Sequence, residues 1–444
     1  MSVDSAKVGH LCVLVHGLWG NPSHLDYLAA ALKERHGDEL HTLCPSGNSG
    51  NNTYDGVDVL GERVVQEIEA ALQNLEADGH VIKKISLIGY SLGGLVARYA
   101  IGILQANGWL DKLEPVNFTT FASPHVGART PLKGFASSVW NGVGPSMISA
   151  SGQQMFMVDS FRDTGRPLFS VMADRESVFI QGLKRFPNRS LYANVVNDRI
   201  TSFFSTAISK TDPFQDLDNL NINYVEGYER VIINCDQWLL PQKTSDFKTS
   251  PWKTPVAYAR QMPLFLLAMF ILPPALTAFV VHAAIQTVRS RKRIRLHGEG
   301  QLGALFKKYR VPLLVKDAQH AMEEVLENVN ATQEPAYLSS TDDDDSDVED
   351  AATPLNENNL DLLGTAKQQP SADGDTIAHP PKLALTPEQF EIIDSLNGVG
   401  FHKYPVYIHT HHHSHAAIVV RIQKDSFWEG KIVVKHWLDN EFKA

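Results

Sequence analysis

Apolar and polar positions follow two alternating periods along the first part of the chain. Short apolar, β-branched runs (LCVLV ending at Val15, HTLC ending at Cys44, ISLIGY ending at Tyr90 and VNFTTFA ending at Ala122) are separated by stretches over 22–35, 57–75 and 92–104. In those stretches the apolar residues recur at helical spacing. This rhythm predicts an α/β fold: a mostly parallel sheet with helices on both faces. SLYANVV, before Asn197, returns to strand composition, and YERVIIN, ending at Asn234, reads as another strand or an edge hairpin.

The pattern loosens between Pro131 and Arg189 into Met- and Phe-containing pieces, an excursion that predicts a lid insertion (about 131–189), with ordinary core helices as the alternative. From Gln261 to Val288 there is no Asp, Glu, Lys or Arg, and Arg289 to Arg295 then places five Lys or Arg in seven positions. Residues 330–381 are rich in Ser, Asp, Pro and Gln around TDDDDSDVED and lack the apolar side chains that offset chain entropy. They are expected to be a disordered acidic linker. Structure is expected to resume over 386–444. There Thr386, Pro387 and Gln389 carry the signature of a helix start, YPVYI reads as sheet, and AAIVVRI reads as sheet or sheet followed by helix. The organisation expected is a core over 8–240, completed by 386–444.

Composition narrows the function classes. A net charge of -10 gives no basic field to draw nucleic acid, so no nucleic-acid partner is expected. Three cysteines, Cys12, Cys44 and Cys235, form no Cys-x-x-Cys pair, which suggests neither a disulfide framework nor a thiolate metal site. A reducing compartment fits. The apolar run before His16 is five residues long, short for a secretory signal.

The chemistry gathers at Gly89-Tyr90-Ser91-Leu92-Gly93, which follows an apolar strand and opens an apolar helix. That context is the nucleophile elbow of an α/β-hydrolase: Gly89 and Gly93 keep the turn tight, and the serine oxygen stands at the carboxyl edge of the sheet. A serine hydroxyl needs a base to take its proton and donors for the oxyanion it creates. The Leu92 backbone N–H is one expected donor. A second is expected near Leu18, in VHGLWG at the end of the first strand, a loop shaped by His16 and Gly17. His16 is expected to be structural rather than the base. In this fold the acid and then the histidine follow the serine along the chain. Asp198 is the acid candidate nearest a strand end, with Asp163, Asp174 and Asp212 as alternatives. The base must come from His409, His411, His412, His413 or His415. The same histidines invite a metal reading, but no acidic or thiolate residue sits beside them in sequence, so no metal and no cofactor are expected. His125, in FASPH, is expected to be structural.

VLVHGLWGNPSHL, IGYSLGGLVARYAIG, TFASPHVG, LYANVVNDRITSF and HSHAAIVVR together resemble the fungal putative serine esterases (domain of unknown function 676), a lipase family with lipid-droplet phospholipases and monoacylglycerol lipases among its members. The resemblance implies Ser91 as nucleophile, Asp198 as acid and His415 as base. It also implies acyl esters of glycerolipids or phospholipids as substrates. The alternatives are an acyl-protein or acyl-CoA thioesterase, or a catalytically weak tether at a lipid surface.

The charge-free segment fits the same picture. As one helix its 28 residues would be about 42 Å long, enough to span a bilayer. Pro273-Pro274 divides it, however, and a single crossing would put Ser91 and His415 on opposite sides of a membrane. A hydrophobic hairpin over 261–288 is therefore expected, embedded in a lipid-droplet monolayer or the endoplasmic reticulum membrane. Its basic flanks, and the enzyme, would stay on the cytosolic face.

Overall fold

In the computed structural model the described residues are 8–129, 149–215, 217, 220–240, 285–296 and 382–444. The expected linker (330–381), the tip of the excursion (130–148) and the charge-free segment up to 284 lie outside them. Among the described residues no helix is long and apolar enough to cross a membrane.

Six strands, β1 (Val8–Val15), β2 (Leu40–Leu43), β3 (Val81–Tyr90), β4 (Glu114–Phe121), β5 (Asn188–Asn194) and β6 (His402–Val406), form one sheet in the order β2-β1-β3-β4-β5-β6. Every neighbouring pair is parallel. Side chains alternate between two apolar layers, as the two-residue period requires. Leu11, Val13, Ile85, Leu87, Phe118 and Leu191 face one core, and Cys12, Leu14, Ile88, Phe121 and Tyr192 face the other.

Helices α1 (Asp26–His36), α2 (Val57–Ala77) and α3 (Leu92–Ala106) are the ones that the apolar spacing predicts. α2 turns Val57, Leu60, Val64, Ile68 and Leu72 inward at steps of three and four, and these join the core of Leu11 and Val13. α1 contributes Leu28 and Leu32 to the opposite core. Helices therefore cover both faces.

The connection from β4 to β5 holds helices α4 (Ala150–Met155), α5 (Leu168–Ala173) and α6 (Val178–Lys184). α6 packs on α3 at close range. A Cβ on Gly102 would stand 2.1 Å from Phe179, and one on Gly182 would stand 2.9 Å from Ile101. Leu168, Phe169 and Met172 of α5 are fully buried. This described part of the excursion packs as core helices.

Three local expectations are corrected. YERVIIN forms isolated antiparallel bridges, Tyr224 to Ile233 and Ile232 to Val406, rather than a strand. β5 stops at Asn194, four residues before Asp198. AAIVVRI is not sheet: a single helical turn, Ser414–Ala417, leads into turns, and the outer edge of β6 is taken by Val231–Ile233 instead.

The C-terminal helix α7 (Pro387–Asn397) starts as its sequence predicts, with Thr386 and Gln389 forming a reciprocal capping box. Thr211 and Lys382 bridge antiparallel, so Lys382 rejoins the core beside the segment that follows Asp198, before the chain adds β6 beside β5.

Candidate active site

The chain runs outward from β1 to β2, then crosses back to place β3 on β1's other side. The carboxyl ends of β1 and β3 thus flank the crevice where strand order reverses, the usual ligand site of open α/β sheets. Ser91 stands at the end of β3 as the residue preceding α3, with φ 54° and ψ -128°. A non-glycine residue rarely holds positive φ, and surrounding structure must enforce it. Here the Ser91 N–H donates to the Phe121 carbonyl at 2.9 Å, and its own carbonyl accepts from Gly94 N at 3.1 Å. The flanking glycines explain themselves by contact. A Cβ on Gly89 would fall 2.3 Å from Gly94 Cα, and one on Gly93 would fall 2.1 Å from the Val15 carbonyl oxygen.

His415 Nε2 lies 3.0 Å from Ser91 Oγ, and His415 Nδ1 lies 3.0 Å from Asp198 Oδ2. All three side chains are nearly inaccessible to water. Of the four aspartates weighed, Asp198 alone makes this contact among the described residues; of the five histidines, His415 alone does.

The Asp198 carboxylate is held by more than the histidine. Oδ1 accepts from Ile200 N (3.1 Å) and Thr201 N (2.9 Å), and Oδ2 accepts from Asn194 Nδ2 (2.8 Å) and Thr201 Oγ1 (3.0 Å). Burial alone would raise its pKa. The charge of His415 and the hydrogen bonds from His415, Asn194 and Thr201 outweigh that and hold it below the ordinary carboxylate value.

Two further anchors aim the histidine. Tyr90 Oη donates to the His415 carbonyl at 3.0 Å, and Ser414 Oγ donates to the Val196 carbonyl at 2.8 Å. Asn194, Thr201 and Tyr90 escape a motif reading because nothing in their spacing marks them. Only Tyr90 sits inside a motif, at its one variable position before the serine.

The loop after β1 meets the elbow directly, since a Cβ on Gly17 would stand 2.7 Å from Ser91 Cβ and 3.2 Å from its Oγ. Within this loop Trp19 N donates to Thr53 Oγ1 (3.1 Å) and Gly20 N donates to the Gly17 carbonyl (3.0 Å). Those two groups are engaged, which leaves Gly17 and Leu18 as the loop's backbone donors beside Ser91. Leu92 N opens α3, where the helix dipole favours developing negative charge.

His16 is buried, its Nδ1 donates to the Gly17 carbonyl at 3.0 Å, and burial lowers its pKa to about 4. It shapes the loop as a neutral ring. His125 is likewise buried, with Nε2 on Thr120 Oγ1 at 2.9 Å, and burial holds its pKa well below the usual imidazole value.

The histidine run needs one correction. An acidic residue does accompany it in space: the fully buried Glu429 accepts from His409 N, Thr410 N and Thr410 Oγ1, and its Oε1 lies 2.8 Å from His409 Nδ1. Glu429 lies on the later helix α8 (Trp428–His436), beyond the reach of local sequence reading. One carboxylate and one ring make no metal cage. Among the described residues no group of three or more His, Cys, Asp or Glu is placed to hold an ion.

A parallel sheet of this order, with an elbow serine after β3 and an acid and a histidine at the edges of later strands, defines the α/β-hydrolase fold with the site of a serine hydrolase. Residues 5–211, a little under half of the chain, match the family described as "Putative serine esterase (DUF676)". The match includes Ser91 and Asp198 and ends before His415. Two Saccharomyces cerevisiae proteins, "Putative lipase ROG1" and "Putative lipase YDL109C", are 32% identical over 208 residues and 30% identical over 225. These alignments cover 46% and 49% of this chain but only 29% and 33% of the relatives, so the chain spans about a third of their length. Among solved structures, carboxyl esterase 2 from Tuber melanosporum aligns at 15% identity and a TM-score of 0.27, over 42% of this chain and 58% of that one. The fold assignment rests on strand order and site geometry instead.

Proposed function

We propose that this protein is a serine lipase or esterase that hydrolyses acyl esters of glycerolipids, a monoacylglycerol lipase or phospholipase, through Ser91, His415 and Asp198. The observation that carries the reading is the continuous line from Ser91 Oγ to His415 Nε2 and from Nδ1 to Asp198 Oδ2, both links at 3.0 Å in a buried site. Ser91 Oγ attacks the ester carbonyl carbon while His415 Nε2 takes the hydroxyl proton. Asp198 holds Nδ1–H, and with it the tautomer that leaves Nε2 free to accept. The oxyanion is received by the Leu92 and Leu18 N–H groups. The tetrahedral intermediate collapses, His415 returns its proton to the departing alcohol, and an acyl ester remains on Ser91. Water, deprotonated by His415, then releases the acid and restores the serine.

Lipid substrates are supported by the lipase names of the relatives and by the charge-free run Gln261–Val288 with its basic sequel, which suits a hairpin in a lipid-droplet monolayer or the endoplasmic reticulum membrane, on the cytosolic side. The test is labelling by a fluorophosphonate and release of fatty acid from defined acylglycerols and phospholipids, each with Ser91→Ala as control. Labelling that persists in Ser91→Ala at the wild-type rate overturns the reading.

A further inference from the structure

Residues 285–296, described as helix, run from the last positions of the charge-free run through the basic cluster. Its two faces differ. Gln286, Ser290 and Arg293, at helical steps of four and three, are buried, while Ile285, Val288, Arg289, Lys292 and Arg295 are exposed. Val288 is 68% exposed and Ile285 46%. An inward polar stripe and an outward apolar-then-basic stripe invert the usual logic of a helix on a protein core.

The inward stripe is held by charge. Arg293 donates from Nε and Nη2 to both oxygens of Asp55, at 2.7 to 3.0 Å, and from Nη2 to the Asn51 carbonyl at 3.0 Å. Ser290 Oγ donates to the Tyr54 carbonyl at 3.3 Å. Asp55 is 1% exposed and also accepts from the buried Arg63 at 2.8 Å. A bidentate, desolvated guanidinium–carboxylate pair is among the stronger and most directional of polar contacts.

The receiving segment, Gly50–Tyr54 and Asp55, is fastened to the active-site loop: Gly50 N donates to the Gly20 carbonyl at 2.8 Å, and Trp19 N donates to Thr53 Oγ1. That loop abuts Ser91 through Gly17. A short series of direct contacts thus links the end of the most apolar stretch of the sequence to the edge of the nucleophile.

We propose that the Asp55–Arg293 pair is the fixed joint that presents the Ser91 site to an anionic lipid surface, with Ile285, Val288, Arg289, Lys292 and Arg295 as the face that meets it. Apolar residues followed by cations suit the boundary between acyl chains and anionic headgroups. The joint sets the orientation of the catalytic crevice at the surface, so turnover of a lipid embedded there depends on it while turnover of a dissolved ester does not. The inference rests on the lipid-ester reading above.

The test uses the full chain, with vesicles of phosphatidylcholine alone or mixed with phosphatidylserine. Arg293→Gln is the informative variant because Asp55 keeps Arg63, whereas Asp55→Asn would leave two cations facing each other. Arg293→Gln is expected to hydrolyse a soluble short-chain ester within about twofold of wild type. It should still co-sediment with vesicles but turn over a vesicle-borne long-chain ester about tenfold more slowly. Unchanged turnover on vesicles, or an equal loss on both substrates, overturns the joint.

The exposed triple variant Arg289→Gln/Lys292→Gln/Arg295→Gln removes no buried group and decides the case if Arg293→Gln does not fold. Its binding to phosphatidylserine vesicles is expected to drop about tenfold, with binding to pure phosphatidylcholine unchanged. Unaltered binding to the anionic vesicles rejects the surface assigned here. If wild-type protein shows no Ser91-dependent ester hydrolysis, the functional reading falls separately, because sedimentation needs no catalysis.

Discussion

The Tyr90 hydroxyl donates to the backbone carbonyl of His415 at 3.0 Å, across 325 positions of sequence, so the residue before the proposed nucleophile holds the residue proposed to deprotonate it. The rings of the two lie 5.2 Å apart, which adds contact to the hydrogen bond. Tyr90→Phe keeps the ring and removes only the hydroxyl. It should cost about 1 kcal/mol of stability and lower kcat about tenfold, with KM little changed, because a displaced imidazole loses transition-state rather than ground-state interactions. Steady-state kinetics beside a melting curve check this. A Tyr90→Phe enzyme with wild-type kcat would show that the histidine is aimed without it.

Removal of any member of the proposed triad should lower turnover by several orders of magnitude. Ser91→Ala, Asp198→Asn and His415→Ala should look alike, and a double variant should be no worse than the worse single one, since the three act as a unit. His413→Ala should stay near wild type, because the ring within 3.0 Å of both Ser91 Oγ and Asp198 Oδ2 is that of His415. A reversal between His413 and His415 in hydrolysis rates would refute the assignment of the base.

Gly17→Ala tests the loop after β1 without touching an ionisable group. The added Cβ would stand 2.7 Å from Ser91 Cβ and 3.1 Å from the Tyr90 carbonyl oxygen, so either the loop or the serine must move. A displaced oxyanion donor typically costs about a hundredfold in kcat. The expected result is that loss with phosphonate labelling slowed in parallel and a melting temperature lowered by only a few degrees. Full activity would mean that this loop does not contact the reacting carbonyl.

Acid should destabilise the protein well before its carboxylates titrate. Burial lowers His10, His16 and His436 from 6.5 to about 4, so each stays neutral in the folded chain at a pH where the unfolded chain takes up a proton. Their stabilising contribution is complete above about pH 6.5 and is lost progressively as pH falls toward about 4, at roughly 1.4 kcal/mol per histidine per pH unit. Asp198 acts in the same direction at lower pH, because its depressed value makes its contribution vanish only below the ordinary carboxylate range. The melting temperature should drop steeply between about pH 6 and 4.5. A flat profile there would mean that these rings reach water in the native state.

Activity should survive prolonged chelation unchanged. His409 is committed to Glu429, and the ring of His411 lies against those of His413 and Phe427. A loss restored by zinc would instead make the histidine loop a ligand set.

The elbow could be read from sequence because its chemistry is local: a strand, a turn too tight for a side chain at Gly89 or Gly93, and a helix. The capping box at Thr386 and the alternation that builds the two cores are local in the same sense. What stayed hidden depends on contacts between distant positions. Asn194 and Thr201 are ordinary until the carboxylate of Asp198 turns back onto them. Glu429 lies 20 residues beyond the loop it fastens, on a helix whose pattern marks it as an exposed first-turn acid. Asp55 and Arg293 are 238 positions apart, and Arg293 is one of five basic residues among which nothing in the sequence singles out the buried one. AAIVVRI misled because β-branched residues pack as well in buried turns as in strands.

The return of the chain at Thr211 and Lys382 has a consequence for the timing of synthesis. The elbow and Asp198 emerge from the ribosome long before the strand and histidine that complete the site. At ordinary elongation rates the 217 residues between Asp198 and His415 take about ten to forty seconds to make. Through that interval the nascent polypeptide carries a shaped serine with no base beside it, and β5 has an open edge where β6 will lie. The half-made chain therefore lacks the proposed base while its sheet is at its most adhesive. The hydrolysis proposed above can begin only when translation delivers the last strand to the place the first two hundred residues have kept for it.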